Sequence, residues 1–216
     1  MRKTTFILAM LVAAILTGCG TTSTVPVTGR KQTLMVSDGD ILALSSQQYQ
    51  QYMQSAKAST NATNTAMVKR VGQNLANAVT TYLQSNGYAD EVANFAWEFN
   101  LVQDQQVNAW CMPGGKIVVY EGLLPVTQNE ASLAIVLGHE IAHAVAKHSA
   151  ERISKEYKNQ YGVAILGAAT QAAGVSAGTQ QLIDLVQQVG GSLLTSGFTR
   201  KQESEADHMG LIFAAM

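Results

Sequence analysis

The 216-residue chain is short of charge imbalance, of cysteine and of histidine, and each shortage excludes something. Its formal net charge is −1, without basic runs, so it lacks the electrostatic footprint of a nucleic-acid-binding protein. Of its two cysteines, Cys19 belongs to an N-terminal processing pattern, which leaves Cys111 without a partner and the chain without an internal disulfide. There are four histidines, and two of them share one short motif. The apolar run from Phe6 to Leu16 is too short for a comfortable membrane span. With 47% hydrophobic residues, the chain can still bury one sizeable core.

The shared motif is His139-Glu140-Ile141-Ala142-His143. Two histidines four apart on a helix lie about 40° apart, so both imidazoles can reach one ion. Glu140 falls beside them, where a carboxylate can take a proton from water held by a metal. Five-residue patterns of this kind also arise by chance, and the context has to separate the two cases. Leu133, Val136, Leu137, Ile141, Ala144 and Val145 keep an apolar stripe at helical spacing, and Thr127 with Glu130 reads as a capping box starting the helix. The helix is expected to continue through Lys147, His148 and Arg152.

Arg2 and Lys3, the apolar run, and then Leu16-Thr17-Gly18-Cys19 have the order of a secretory signal. The last four residues resemble a bacterial lipobox, which implies cleavage before Cys19 and a lipid on its thiol. Residues 1–18 are thus expected to be a lipoprotein signal peptide, 19–36 a mobile polar tether, and 37–216 one folded domain. Ser37 and Asp40 can cap a first helix through Ile41, Leu44 and Tyr49, and Met67 to Leu83 reads as a second, stopped at Asn86-Gly87. Alternation from Phe95 to Leu101 predicts a strand, and Val107–Met112 and Lys116–Tyr120 flank a hairpin turn at Pro113-Gly114-Gly115. From Asn159 to Thr199 the only charged residue before the final helix is Asp184, but six glutamines and threonines break any spanning run, and a closely packed helical hairpin is expected.

A catalytic zinc usually takes three protein ligands. His148 lies about 140° beyond His143 on a continued helix and reads as a surface or outer-layer residue; His208 and Cys111 are further candidates. Glu203 is the strongest, because Glu203 and Asp207 are four apart and share a face, so one can bind metal while the other accepts from a ligand histidine. Glu205 lies on another face. Taken alone, this charged stretch would read as a solvated helix start.

The histidine motif, Arg200-x-x-Glu203-x-x-Ala206-Asp207, and Asn108-Ala109-x-x-x-Pro113-Gly114-Gly115-x-Ile117 together resemble the HtpX/Oma-like zinc metallopeptidases, metallopeptidase family 48, and more narrowly their envelope lipoprotein members. The resemblance implies an α+β, mainly helical zincin domain of gluzincin type, with a small antiparallel sheet beside the active-site helix. It implies one zinc held by His139, His143 and Glu203, Glu140 as general base and acid, Asp207 supporting a ligand histidine, and Asn108 and Ala109 on an edge strand lining the substrate cleft. The implied activity is zinc-dependent hydrolysis of unfolded or misassembled envelope proteins, in a lipoprotein anchored through Cys19, most simply to the outer membrane and facing the periplasm. A lipid-anchored, chaperone-like assembly factor with a zinc site and little turnover is the alternative. Relatives continue past this last helix, so the chain ending at Met216 reads as C-terminally truncated, with Leu211 to Met216 short of apolar partners.

Overall fold

The computed structural model describes residues 21–168 and 197–216. The expected signal peptide, Cys19 and most of the expected hairpin between Asn159 and Thr199 lie outside the described residues. In chain order the elements are β1 (Thr21–Thr24), β2 (Lys31–Leu34), α1 (Asp38–Ser55), α2 (Ala62–Ser85), α3 (Ala89–Val92), β3 (Glu98–Val102), β4 (Ala109–Met112) and β5 (Lys116–Tyr120). After a 3-10 turn come α4 (Leu124–Thr127), α5 (Glu130–Val145), α6 (His148–Ala168) and α7 (Arg200–Ala215). Among the described residues no helix is long and apolar enough to cross a membrane.

Local signals explain most of these boundaries. Ser37 caps α1 by accepting from the Asp40 amide, and α2 ends at Asn86 before Gly87, which takes the left-handed conformation (φ +84°). The start of α5 differs from the expected capping box. Pro125 sits in the first turn of a separate short helix that carries Thr127, Gln128 is left-handed (φ 62°), and Asn129 then caps α5 through the Ser132 amide.

The sheet is mixed rather than wholly antiparallel. Its order is β3-β5-β4, with β3 parallel to β5 and β4 antiparallel, so that β4 is an edge strand. The alternation beginning at Phe95 enters strand pairing only at Glu98; Phe95 and Trp97 instead stack on each other at 4.6 Å.

Residues 21–34, expected as part of a tether, form an antiparallel hairpin, β1 with β2. Its turn is shaped by left-handed Val27 and Gly29, and Val25 is fully buried in the main core. A segment that buries an apolar side chain and pairs its backbone has reason to stay in place, although its composition is polar.

The main core is built around α5. Leu133, Leu137 and Ile141 are fully buried, each worth roughly 1.5–3 kcal/mol of apolar transfer, and they turn the helix towards α2, β4 and α7. Phe213 of α7 is buried against Tyr82, whereas Leu211 and Met216 are exposed. Backbone meets backbone where α5 crosses α7. A Cβ at Gly138 would stand 2.6 Å from the Gly210 carbonyl oxygen, and one at Gly210 would stand 2.6 Å from the His139 nitrogen. These are backbone atoms of two packed helices, and neither can swing aside.

Gly210→Ala therefore tests the crossing. Helix propensity alone would make it stabilising by about 1 kcal/mol, but overpacking of this kind costs about 1–3 kcal/mol or more, so net destabilisation is expected. Denaturant unfolding measures it, and a variant as stable as the wild type would contradict the backbone contact.

Candidate metal centre and active site

Gly138 directly precedes His139, and Gly210 lies three residues beyond Asp207 and seven beyond Glu203. The close crossing thus lays the carboxylate face of α7 over the histidine face of α5. Thr199 caps α7 in a full capping box with Gln202, which fixes where its first turn begins.

The structure brings His139, His143 and Glu203 together, with one candidate ligand atom from each lying within 4.8 Å of the others. The two Nε2 atoms are 3.0 Å apart, and Glu203 Oε2 is 3.4 Å from the first and 3.9 Å from the second. Tetrahedral ligands at zinc–nitrogen and zinc–oxygen bond lengths are separated by about 3.3 Å, so the spacing suits one small cation. Cys111 and His208 do not belong to this cluster.

Hydrogen bonding decides which nitrogens carry protons. His139 Nδ1 is 2.8 Å from Asp207 Oδ1, and an acceptor-only carboxylate requires the proton on Nδ1, which leaves Nε2 with a lone pair. On the other side, His148 Nε2 donates to Glu205 Oε2 at 3.0 Å, so His148 Nδ1 is an acceptor. His143 Nδ1, 2.9 Å from it, must then donate, and His143 Nε2 is also left with a lone pair. Two lone pairs and a carboxylate oxygen converge without a proton between them. Such a donor set calls for a cation.

The electrostatics agree. Burial, with His148 and His139 adding to it, brings His143 down to about 3, so its imidazole is neutral as a ligand must be. Burial, and then the nearby Glu203 carboxylate, push the Glu140 carboxyl up to about 8. Glu140 therefore lies within electrostatic reach of the cluster. Cys111 on β4 feels Glu140 in turn, and its thiol is raised first by burial and then by that carboxylate.

Asn108 and Ala109 stand at the start of β4, which packs against α5. The Asn108 carbonyl accepts from the Tyr120 amide, and Ala109 pairs with Val119, so this side of the strand is engaged with β5. The other edge of β4 has no strand partner among the described residues.

One neighbour of the cluster, Phe198, was not legible as such. Phe198 stacks on the His143 ring, with centroids 4.0 Å apart and planes 20° apart, and covers that face. Of the two places expected for His148, surface or outer layer, the structure gives the second: it is fully buried against His143. The helix does not run on through it: α5 ends at Val145, Lys147 takes a left-handed conformation (φ 56°), and α6 starts afresh at His148, folding its ring back onto His143. Lys147 is held there by Asp38 (2.8 Å) and Glu91 (2.9 Å). The signal available in advance was the uncommon spacing of a third histidine, but no glycine announced the turn.

A helix-borne histidine pair, a glutamate from a second helix and an adjacent carboxylate define a metal-dependent hydrolase centre. The profile of Peptidase family M48 matches residues 62–216, and the chain belongs to that family. It is 38% identical over 125 residues to mitochondrial metalloendopeptidase OMA1 of Schizosaccharomyces pombe, a match covering 56% of this chain and 33% of the relative. It is 25% identical over 196 residues to the human metalloendopeptidase OMA1, covering 88% of this chain and 36% of the relative. With the beta-barrel assembly-enhancing protease of Escherichia coli K12 it shares 28% identity over 145 residues, 62% of this chain and 28% of the relative. The chain thus matches about a third of the length of these relatives, and family and relatives together support a metalloprotease.

Replacing Glu203 by Gln should weaken metal binding by more than the about 10- to 100-fold typical of losing an outer-layer partner, and Asp207→Asn should fall within that range. Competition with a chromophoric chelator measures both. Unchanged affinity in Glu203→Gln would remove it from the ligand set.

Proposed function

We propose that this protein is a zinc-dependent endopeptidase that hydrolyses unfolded or misassembled cell-envelope proteins. The observation that carries this is the convergence of the His139 and His143 lone pairs with Glu203, beside Glu140 and under an edge strand.

His139, His143 and Glu203 would hold one zinc, and Asp207 fixes the His139 ring through its Nδ1 proton. Zinc, when bound, supplies a Lewis acid that polarises a peptide carbonyl and makes water more acidic. The positive charge of a bound zinc would offset the burial and the Glu203 carboxylate that raise the Glu140 carboxyl, and so keep it ionised. Glu140 then takes the proton from the attacking water and delivers it to the leaving amine, a transfer worth about 10²–10⁴-fold in rate. The free edge of β4 from Asn108 and Ala109 onwards offers backbone groups to an extended peptide, and only an unfolded chain presents such a strand. Dependence on extended substrate supports unfolded proteins as the substrate class.

The compartment rests on Leu16-Thr17-Gly18-Cys19. Lipidation of Cys19 would anchor the protein to a bacterial envelope membrane, with the outer membrane facing the periplasm as the simplest assignment. The hairpin begins at Thr21, so two residues, at most about 7 Å of chain, would separate lipid from folded protein. The domain would therefore work close to the bilayer surface, a setting that suits the beta-barrel assembly named in the Escherichia coli relative.

Zinc-loaded full chain should cleave unfolded casein, and Glu140→Gln should lose about 10²–10⁴-fold of that rate while retaining one zinc. Equal rates in the two proteins would overturn the mechanism. One bound zinc with no turnover in the wild type would favour the lipid-anchored, chaperone-like assembly factor.

A further inference from the structure

The anchor behind His143 does not end at Glu205. Arg30, in the N-terminal hairpin, donates through Nε to both Glu205 oxygens, at 3.0 and 2.8 Å, and Thr28 Oγ1 donates to Glu205 Oε1 at 2.6 Å. The other end of the same guanidinium donates to both oxygens of Glu151 on α6, each at 3.1 Å. Glu151 also accepts from Gln202 of α7 at 2.9 Å. Glu205 and Glu151 each keep 8% of their side-chain exposure, and one guanidinium bridges these two nearly buried carboxylates, with Lys155 pairing with Glu151 as well at 2.9 Å. A second, independent tie joins the hairpin to the end of the active-site helix: Gln32 Nε2 donates to the Ala146 carbonyl at 3.0 Å, three residues past His143.

We propose that Arg30, Glu205 and His148 are positioning residues for the metal centre, and that the N-terminal hairpin thereby holds His143 in its metal-binding tautomer. This inference rests on His139, His143 and Glu203 forming a metal site. With Glu205 fixed, His148 must donate from Nε2 and accept at Nδ1, and His143 must keep its proton on Nδ1, away from the metal side. Without Arg30, Glu205 loses both Nε contacts and the only cation paired with it among the described residues, whereas Glu151 keeps Lys155 at 2.9 Å. Glu205 then moves towards water. A neutral His148 can turn its N–H onto His143, which must accept at Nδ1 and carry its proton on Nε2, where the metal would bind. The two histidines thus have unlike supports, an exposed Asp207 for His139 and a buried relay, reaching to the hairpin, for His143.

The test uses the full chain and zinc alone as the probe. Arg30→Ala and Glu205→Gln should each weaken zinc binding by about 10- to 100-fold, as loss of an outer-layer partner does, with far-UV circular dichroism unchanged. Arg30→Lys should recover part of the loss. The cobalt(II) visible spectrum should change in Arg30→Ala, and long-range proton–nitrogen NMR of the metal-free protein should show His143 losing its single Nδ1–H tautomer. Arg70→Ala, which removes an exposed ion pair with Glu130, should leave all of these as in the wild type. If Arg30→Ala does not fold, Glu205→Gln and His148→Phe carry the comparison. Wild-type zinc affinity and cobalt spectrum in folded Arg30→Ala, or in both substitutes, would overturn the inference, even if stability fell. Failure of the wild type to bind zinc, or binding that survives His139→Ala, would instead overturn the metal site beneath it.

Discussion

The backbone contact between Gly138 and Gly210 is the constraint on which the rest of the site depends. Helices that meet through side chains pack at about 8–10 Å between axes, and here two glycines remove the side chains that would keep α5 and α7 apart. Only at that closeness can a glutamate from α7 come within 3.4 Å of His139 and an aspartate four residues further on reach the same ring from its other nitrogen. The apolar stripe of α5 supplies the energy that holds the helix in place, but the glycines set the distance. Distance is what a metal centre needs, because ligand geometry tolerates errors of a few tenths of an ångström.

Beyond distance, the site needs proton placement, and carboxylates in the second layer provide it. Asp207 acts on His139 directly, from an exposed position. Glu205 acts on His143 at one remove, through His148, in an enclosed one. A carboxylate can only accept, so each fixes the proton nearest to it, and the choice propagates to the far nitrogen of the ligand ring. Two convergent imidazole lone pairs follow from two acceptors placed outside them, and the Glu203 carboxylate adds a third electron-pair donor.

Much of this was legible in the sequence. The pair His139 and His143 with Glu140, the i,i+4 pair Glu203 and Asp207, the Ser37 cap and the Asn86-Gly87 stop all depend on spacing within a turn or two of helix, and spacing survives in a linear string. The parts that were not legible depend on exceptions or on distance along the chain. Lys147 adopts a left-handed conformation without being glycine, stabilised by Asp38 and Glu91 more than fifty residues away, and that turn puts His148 in the buried outer layer rather than on the surface. The direction of β3 relative to β5 follows from how the chain between β3 and β4 packs, which alternation does not encode. The composition of residues 21–34 is that of a tether, and only the burial of Val25 and the pairing of Arg30 with Glu205 and Glu151 make it structure.

That last point bears on where the functional unit begins. The family profile starts at residue 62, yet Arg30 and Gln32, some thirty residues earlier, contact the two structures that hold His143: the Glu205 relay and the end of α5. A buried carboxylate such as Glu205 would be expelled towards water if left unpaired, because the desolvation penalty of a lone charge exceeds what one histidine hydrogen bond returns. Burial alone would raise its carboxyl, but the hydrogen bonds from Thr28, His148 and Arg30 outweigh that and hold it below the usual range, so it stays anionic and accepting. Residues of the family domain form the His139, His143 and Glu203 cluster, and the preceding hairpin contributes the guanidinium that pairs with Glu205 inside the protein. The hydrogen-bonded network behind His143 extends to Arg30, and a boundary drawn at residue 62 would cut through it.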